Sequence, residues 1–242
     1  MNQLLVKICG QTSQEGARLC AGLGAGLLGF IFHPGSARCV SAGLPASLQL
    51  PGVLKVGVFV EQSVNETAAL MRAGRLDLAQ LHGGQDRGFC RALGDILGPE
   101  RIIKVIWPER AANLERFQAE LDEFGPLCGR FLADAGAGGG GHGRGIAVAA
   151  ATLLAQARFP RPWLLAGGLG PQSIGPALAQ FRQGACGLTL SEKGASDLTQ
   201  SEEGASALAG LDLNSGVESA PGVKNENLLR EAFAAINAHC VA

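Results

Sequence analysis

The chain has 242 residues, 47% of them hydrophobic, enough to bury a large core, and a single α/β barrel is ordinary at this length. Its 20 basic and 21 acidic residues leave a formal net charge of −1, which gives no general field for nucleic acid or an anionic membrane surface. The longest apolar run, Ala21 to Phe32, is broken by glycines and too short for a bilayer span, and the N-terminus carries no signal-peptide pattern.

Seven cysteines without a CxxC pair read as free thiols in a reducing cytoplasm, and four isolated histidines offer no metal-ligand spacing. In chain order, the first element is a short strand over Leu4–Ile8. Val6 and Ile8 share one face, Lys7 and Cys9 the other, and Gly10 stops the run. Further strands are expected over Leu27–Phe32, Val53–Val60, Leu76–Leu81, Arg101–Ile106, Arg130–Ala133, Trp163–Ala166 and Leu211–Leu213. Helical patterns lie between most of them, over Ser13–Gly22, Val64–Ala73, Asp86–Leu97, Ala111–Phe124, Ile146–Ala157 and Pro171–Gln183, and Glu226–Ala238 closes the chain.

Strands alternating with helices mean parallel pairing through right-handed crossovers. A closed (β/α)8 TIM barrel and a doubly wound open sheet both fit, and eight strands in this length favour the barrel. No Pro- or Ser-rich linker divides the chain, so residues 1–242 read as one domain. The segments SEKGASDL at Ser191–Leu198 and SEEGASAL at Ser201–Leu208 form an imperfect repeat, too small and acidic to bury apolar area. Residues 190–210 are therefore expected to be a flexible insertion before the last strand.

Active residues of such barrels come from the carboxyl ends of strands. That rule collects Cys9, Gln80, His82, Asp134 and Asp212. Each has an ordinary explanation alone: a helix cap for the aspartates, a turn for His82, core filling for Cys9. Together they mark one rim. After strand seven, Gly167 and Gly168 let backbone N–H groups approach an oxyanion, and after strand eight Asn214, Ser215 and Gly216 can open a short helix towards the same place. These two loops are the usual phosphate site of TIM barrels. Arg38, in HPGSARCVS, has the fork geometry to clamp a carboxylate, although a solvated loop arginine fits equally well.

The stretches VKICG at 6–10, GFIF at 29–32, SARCVS at 36–41, KVGVFV at 55–60, QLHG at 80–83, LAGGL at 165–169 and NSGVESAPGVK at 214–224 together resemble the phosphoribosylanthranilate isomerase family of tryptophan biosynthesis. The resemblance implies a (β/α)8 barrel and an Amadori rearrangement of a phosphorylated small-molecule substrate, N-(5-phosphoribosyl)anthranilate. By matching motif it implies Cys9 as general base and Asp134, in FLADAG, as general acid. It also implies Arg38 on the anthranilate carboxylate, Lys7, Gln80, His82 and Asp212 near the substrate, and Gly167, Gly168, Asn214, Ser215 and Gly216 around the phosphate. No cofactor or metal is implied, because the substrate's own iminium serves as the electron sink; monomer and homodimer both stay open. Lys7 is expected to lower the Cys9 thiol pKa, and burial or a neighbouring anion to raise that of Asp134. Two motifs depart from the family: Ser36-Ala37-Arg38 stands for its usual SPR, and GGGGHGRGI at Gly138–Ile146 lacks the aromatics and acid of its usual loop.

Rival readings are an aminoaldose isomerase of histidine biosynthesis, a Schiff-base aldolase using Lys7, Lys55 or Lys104, and a non-catalytic phosphoribosyl-ligand binding protein. The first would call for paired aspartates at strands one and five, yet strand five ends in Trp107-Pro108.

Overall fold

The computed structural model describes residues 4–136, 148–181 and 208–240. Eight strands close into a barrel in chain order: β1 (Leu5–Ile8), β2 (Leu27–Ile31), β3 (Leu54–Phe59), β4 (Leu78–Leu81), β5 (Ile102–Ile106), β6 (Arg130–Asp134), β7 (Trp163–Ala166) and β8 (Leu208–Leu213). All eight neighbouring pairs, including the closing seam of β1 against β8, are parallel. The TIM barrel expected from the strand count is the fold found.

Strand alternation divides the apolar residues between two cores. Leu5, Leu27, Val56, Leu78, Ile103, Val105, Leu132 and Leu164 fill the barrel interior. Val6, Ile8, Leu28 and Phe30 face outwards into the layer packed against the helices. The interior plug fills only the lower part of the barrel, so inward positions near the strand ends are left for polar groups.

The helices are α1 (Gln14–Gly22), α2 (Gly43–Ser47), α3 (Val64–Ala73), α4 (Arg87–Leu97), α5 (Leu114–Phe124), α6 (Val148–Gln156), α7 (Pro171–Phe181) and α8 (Glu226–Cys240). Several begin where a polar side chain satisfies a free N–H. Ser13 caps α1 through Gly16, Asp86 caps α4 through Phe89, and Asn113 caps α5 through Arg116. Ser63 and Glu66 form a reciprocal capping box on α3.

The sequence pattern missed α2, five residues without a side-chain cap, and a two-stranded hairpin of β9 (Glu218–Ala220) and β10 (Val223–Lys224). It also began β8 three residues late. Leu208, Ala209 and Gly210 belong to that strand, with Leu208 paired to Trp163 and Gly210 to Leu5 and Leu164. The expected Gly-rich segment at 138–146 and the insertion over 190–207 lie outside the described residues.

Gly210 sits on the closing seam, where an added Cβ would run into the Leu5 carbonyl oxygen. Replacing Gly210 with Ala is therefore expected to destabilise the fold by at least about 2 kcal/mol in urea unfolding, the cost of forcing a close-packed strand pair apart. Unchanged stability would contradict this account of the seam.

Candidate active site

The centre of the site is built on the β1–β8 seam. Parallel register sets Lys7 opposite Asp212, and Lys7 Nζ donates to Asp212 Oδ1 over 2.9 Å. Lys7 is wholly buried. Two residues on, the Cys9 N–H donates to the Leu213 carbonyl at 2.8 Å, carrying the ladder past the strand and fixing the thiol at the barrel mouth. Gly10 then turns the chain with φ +74°.

Room for these side chains comes from β2. A Cβ on Gly29 would lie 2.7 Å from Cys9 Sγ and 3.1 Å from Lys7 Nζ. The sequence gives no signal for this glycine beyond its place inside a strand, where glycine often marks a close approach.

Lys7 acts to lower the thiol pKa, as expected, but the net shift is upward. Burial pushes the Cys9 thiol up, and the nearby Lys7 ammonium offsets only part of that, while Asp212 adds to the rise. For Lys7, burial pulls the ammonium down, but Asp212 and Cys9 more than reverse this and its pKa lies above the usual value. Burial pushes the Asp212 carboxyl up as well, with the Lys7 ammonium opposing the rise.

On the other side of the barrel mouth, β6 ends in Asp134, whose side chain is 7% exposed. Its Oδ1 accepts from the Gly136 N–H at 3.3 Å, and its Oδ2 lies 3.5 Å from His82 Nε2. His82 follows β4, and Gln80 Nε2 lies 2.9 Å from His82 Nδ1. A donating Gln80 amide would make Nδ1 the acceptor and leave a ring N–H at Nε2, the edge facing Asp134. Gln80 Oε1 is buried without a hydrogen-bond partner. Trp107, at the top of β5, meets the His82 ring edge-on at 5.8 Å, and the Arg110 guanidinium covers the Trp107 face at 3.9 Å.

These groups border a cleft of about 380 Å³. Cys9, Gln80, His82, Asp134 and Asp212 all line it, with Ile31, Val58 and Val60 as an apolar wall. Arg38, His33 and Ser36 line one side, and Gly167, Gly168, Asn214 and Ser215 another. Lys7 is absent from the lining because it lies under Cys9, and Gly216 is absent because it packs against the Leu169 carbonyl. Gly167 and Gly168 both have positive φ, +116° and +72°, and a side chain on Gly167 would strike the Gly136 backbone. Lys55 and Lys104, candidates under the aldolase reading, donate to carbonyls of Pro45 and Gln85 and do not line the cleft. Among the described residues no group of three His, Cys, Asp or Glu side chains is arranged to hold a metal ion.

Arg38 has a partner that the sequence did not suggest. Its Nε and Nη2 donate to the Glu218 carboxylate at 3.0 and 2.6 Å. Lys224 Nζ donates to Glu218 Oε1 at 2.7 Å and to Asn214 Oδ1 at 3.1 Å. Glu218 and Lys224 face each other across the β9–β10 hairpin. The signal for that hairpin was the Pro221-Gly222 pair, a favoured type II turn sequence, with φ +82° at Gly222.

The sequence profile of the N-(5'phosphoribosyl)anthranilate (PRA) isomerase family matches residues 6–235. An N-(5'-phosphoribosyl)anthranilate isomerase of Maridesulfovibrio salexigens is 45% identical over 96% of this chain and 98% of its own length. That of Desulfovibrio desulfuricans is 41% identical over 96% and 94%. The crystal structure of phosphoribosyl anthranilate isomerase from Thermus thermophilus superposes with a TM-score of 0.73 at 32% identity, covering 97% of this chain and 99% of that one. The chain belongs to the phosphoribosylanthranilate isomerase family.

It is thus an aldose–ketose isomerase of tryptophan biosynthesis. Among its described residues no helix is long and apolar enough to cross a membrane. Gly29 offers a direct test of how the site is packed. Gly29→Ala should lower turnover about tenfold or more by displacing Cys9 and Lys7, with the circular-dichroism spectrum unchanged. Full activity in that variant would contradict the packing described for the thiol.

Proposed function

We propose that Cys9 is the general base and Asp134 the general acid in converting N-(5-phosphoribosyl)anthranilate to 1-(2-carboxyphenylamino)-1-deoxyribulose 5-phosphate. The observation that carries this reading is that a thiol and a carboxylate line one cleft between a guanidinium and a pair of glycine-rich loops. One group of each kind is what the chemistry requires.

Asp134 donates a proton to the furanose ring oxygen, the C1′–O bond breaks, and the anthranilate nitrogen takes up the positive charge as an iminium. Cys9, as thiolate, then removes the C2′ proton, giving an enolamine. Ketonisation releases the enol proton and places one on C1′, so one proton leaves C2′ and one arrives at C1′ overall. His82, with Nε2–H towards Asp134, orients the acid, and Gln80 holds the imidazole in that tautomer.

The order of the two steps supplies the charge that the base needs. In the empty site burial holds the Cys9 thiol above its usual pKa, with Lys7 opposing the rise and Asp212 adding to it. The iminium formed by ring opening is an added cation beside the thiol, and an opposite charge within a few ångströms favours the ionised form, the thiol proton passing to solvent at the cleft mouth. A basic thiolate is also the stronger proton acceptor.

At the ends of the substrate, Arg38 takes the anthranilate carboxylate and the wall of Ile31, Val58 and Val60 takes the ring. Gly167, Gly168, Asn214 and Ser215 take the phosphate, with Gly216 shaping the loop and Lys224 steadying Asn214. Lys7 acts from below through Cys9. Asp212 acts through Lys7 and lines the cleft floor.

Following the fluorescence of phosphoribosylanthranilate as it is converted tests the assignment. Cys9→Ala and Asp134→Asn should each cut kcat by at least about a hundredfold, the usual weight of a general acid or base. Near-normal turnover in either variant would remove that residue from its role, and ligand binding without turnover in the wild type would point to a binding protein.

A further inference from the structure

Arg38 engages Glu218 with only part of its fork. The guanidinium has five N–H donors, and Glu218 takes Nε–H and one proton of Nη2. The remaining edge, formed by Nη1 and the second Nη2 proton, is a parallel pair of donors suited to another carboxylate. Arg38 lines the cleft that the proposed function assigns to the substrate.

Glu218 itself is not placed like a mobile occupant of that fork. Its side chain is 3% exposed, and besides Arg38 its oxygens accept from Lys224 Nζ at 2.7 Å and from the Gly222 N–H at 3.2 Å. Lys224 is 1% exposed. The arginine is pinned from the other side as well, since a Cβ on Gly10 would lie 2.7 Å from Arg38 Cδ. Counting charges, Arg38 and Lys224 contribute two positive charges and Glu218 one negative. The trio therefore keeps one net positive charge, which a single carboxylate neutralises.

We propose that Glu218, braced by Lys224, is a positioning residue that presents the free edge of Arg38 to the ring carboxylate of the substrate and so sets the preference for a carboxylated aryl group. This rests on the reading of Arg38 as the carboxylate clamp. A long arginine side chain left unheld loses rotamer freedom when it binds, and a fork already locked by a second carboxylate has lost it beforehand.

The test compares two substrates, N-(5-phosphoribosyl)anthranilate and N-(5-phosphoribosyl)aniline, which lacks the carboxylate. For the first, Glu218→Gln should raise KM about tenfold, equivalent to about 1.4 kcal/mol, with kcat within about threefold of wild type. For the second, kcat/KM of variant and wild type should agree within about twofold, because the contact that Glu218 prepares is not made. Glu218→Asp, which keeps the charge, should recover part of the lost KM and serves as the readout if the glutamine variant does not fold.

An equal loss on both substrates would assign Glu218 a purely structural role and overturn the proposal. A lower KM in Glu218→Gln would make Glu218 a competitor for the fork and overturn it equally. The Arg38 reading is checked separately: Arg38→Ala should abolish the wild-type preference for the carboxylated substrate. If that preference persists without Arg38, the clamp assignment fails whatever Glu218 does.

Discussion

The buried contact between Lys7 and Asp212 is the interaction around which the site is organised. Taking an ammonium and a carboxylate out of water costs several kcal/mol per ion, and a pair like this seldom repays that cost as stability. Its place at the closing seam of the barrel gives it another consequence. Register alone brings the two residues together, and the next inward position along β1 is the Cys9 thiol. Burial, with Asp212 beside it, holds that thiol above its usual pKa against the pull of Lys7, and a cation arriving above it would favour the thiolate. In the proposed reaction the substrate generates that cation itself.

The charge balance differs where Arg38 meets the β9–β10 hairpin. Two cations and one carboxylate leave a net positive charge with a free donor edge. Lys224 also reaches Asn214, so one short hairpin connects the guanidinium to the loop proposed for the phosphate. The hairpin turns at Gly222, whose positive φ suits it to the position, and in the proposed reading it ties together the groups that hold the two ends of the substrate.

Much of this was legible in the sequence, for identifiable reasons. Strand and helix periodicities differ sharply, so eight apolar runs with helical patterns between them were enough to give the barrel, and barrel geometry then gathered Cys9, Gln80, His82, Asp134 and Asp212 at one rim. What stayed hidden depended on groups far apart in the chain. The thiol pKa followed from a balance of burial against Lys7 and Asp212, and burial is not visible in KICG. Gly29 gave room to Cys9 and Lys7 across two strands, a role that no local pattern encodes. Glu218 sat inside a motif whose first residues suggested a phosphate loop, and its partner Arg38 lies 180 positions earlier. The short hairpin was missed because two- and three-residue strands fall below any periodic signal.

The central claim is that burial and the Lys7–Asp212 pair together set the ionisation of Cys9. Its most direct test is a pH titration of the thiolate ultraviolet absorbance of the unliganded protein, taken as the difference between wild type and Cys9→Ser, with the same difference measured in an Asp212→Asn background. The account predicts a Cys9 midpoint above the ordinary thiol value of about 8.5 in the wild type. It predicts a lower midpoint once Asp212 is neutralised, because the anion that opposes the thiolate is gone and Lys7 faces the sulfur alone. A wild-type midpoint at or below the ordinary value, or one that Asp212→Asn leaves in place, would contradict it.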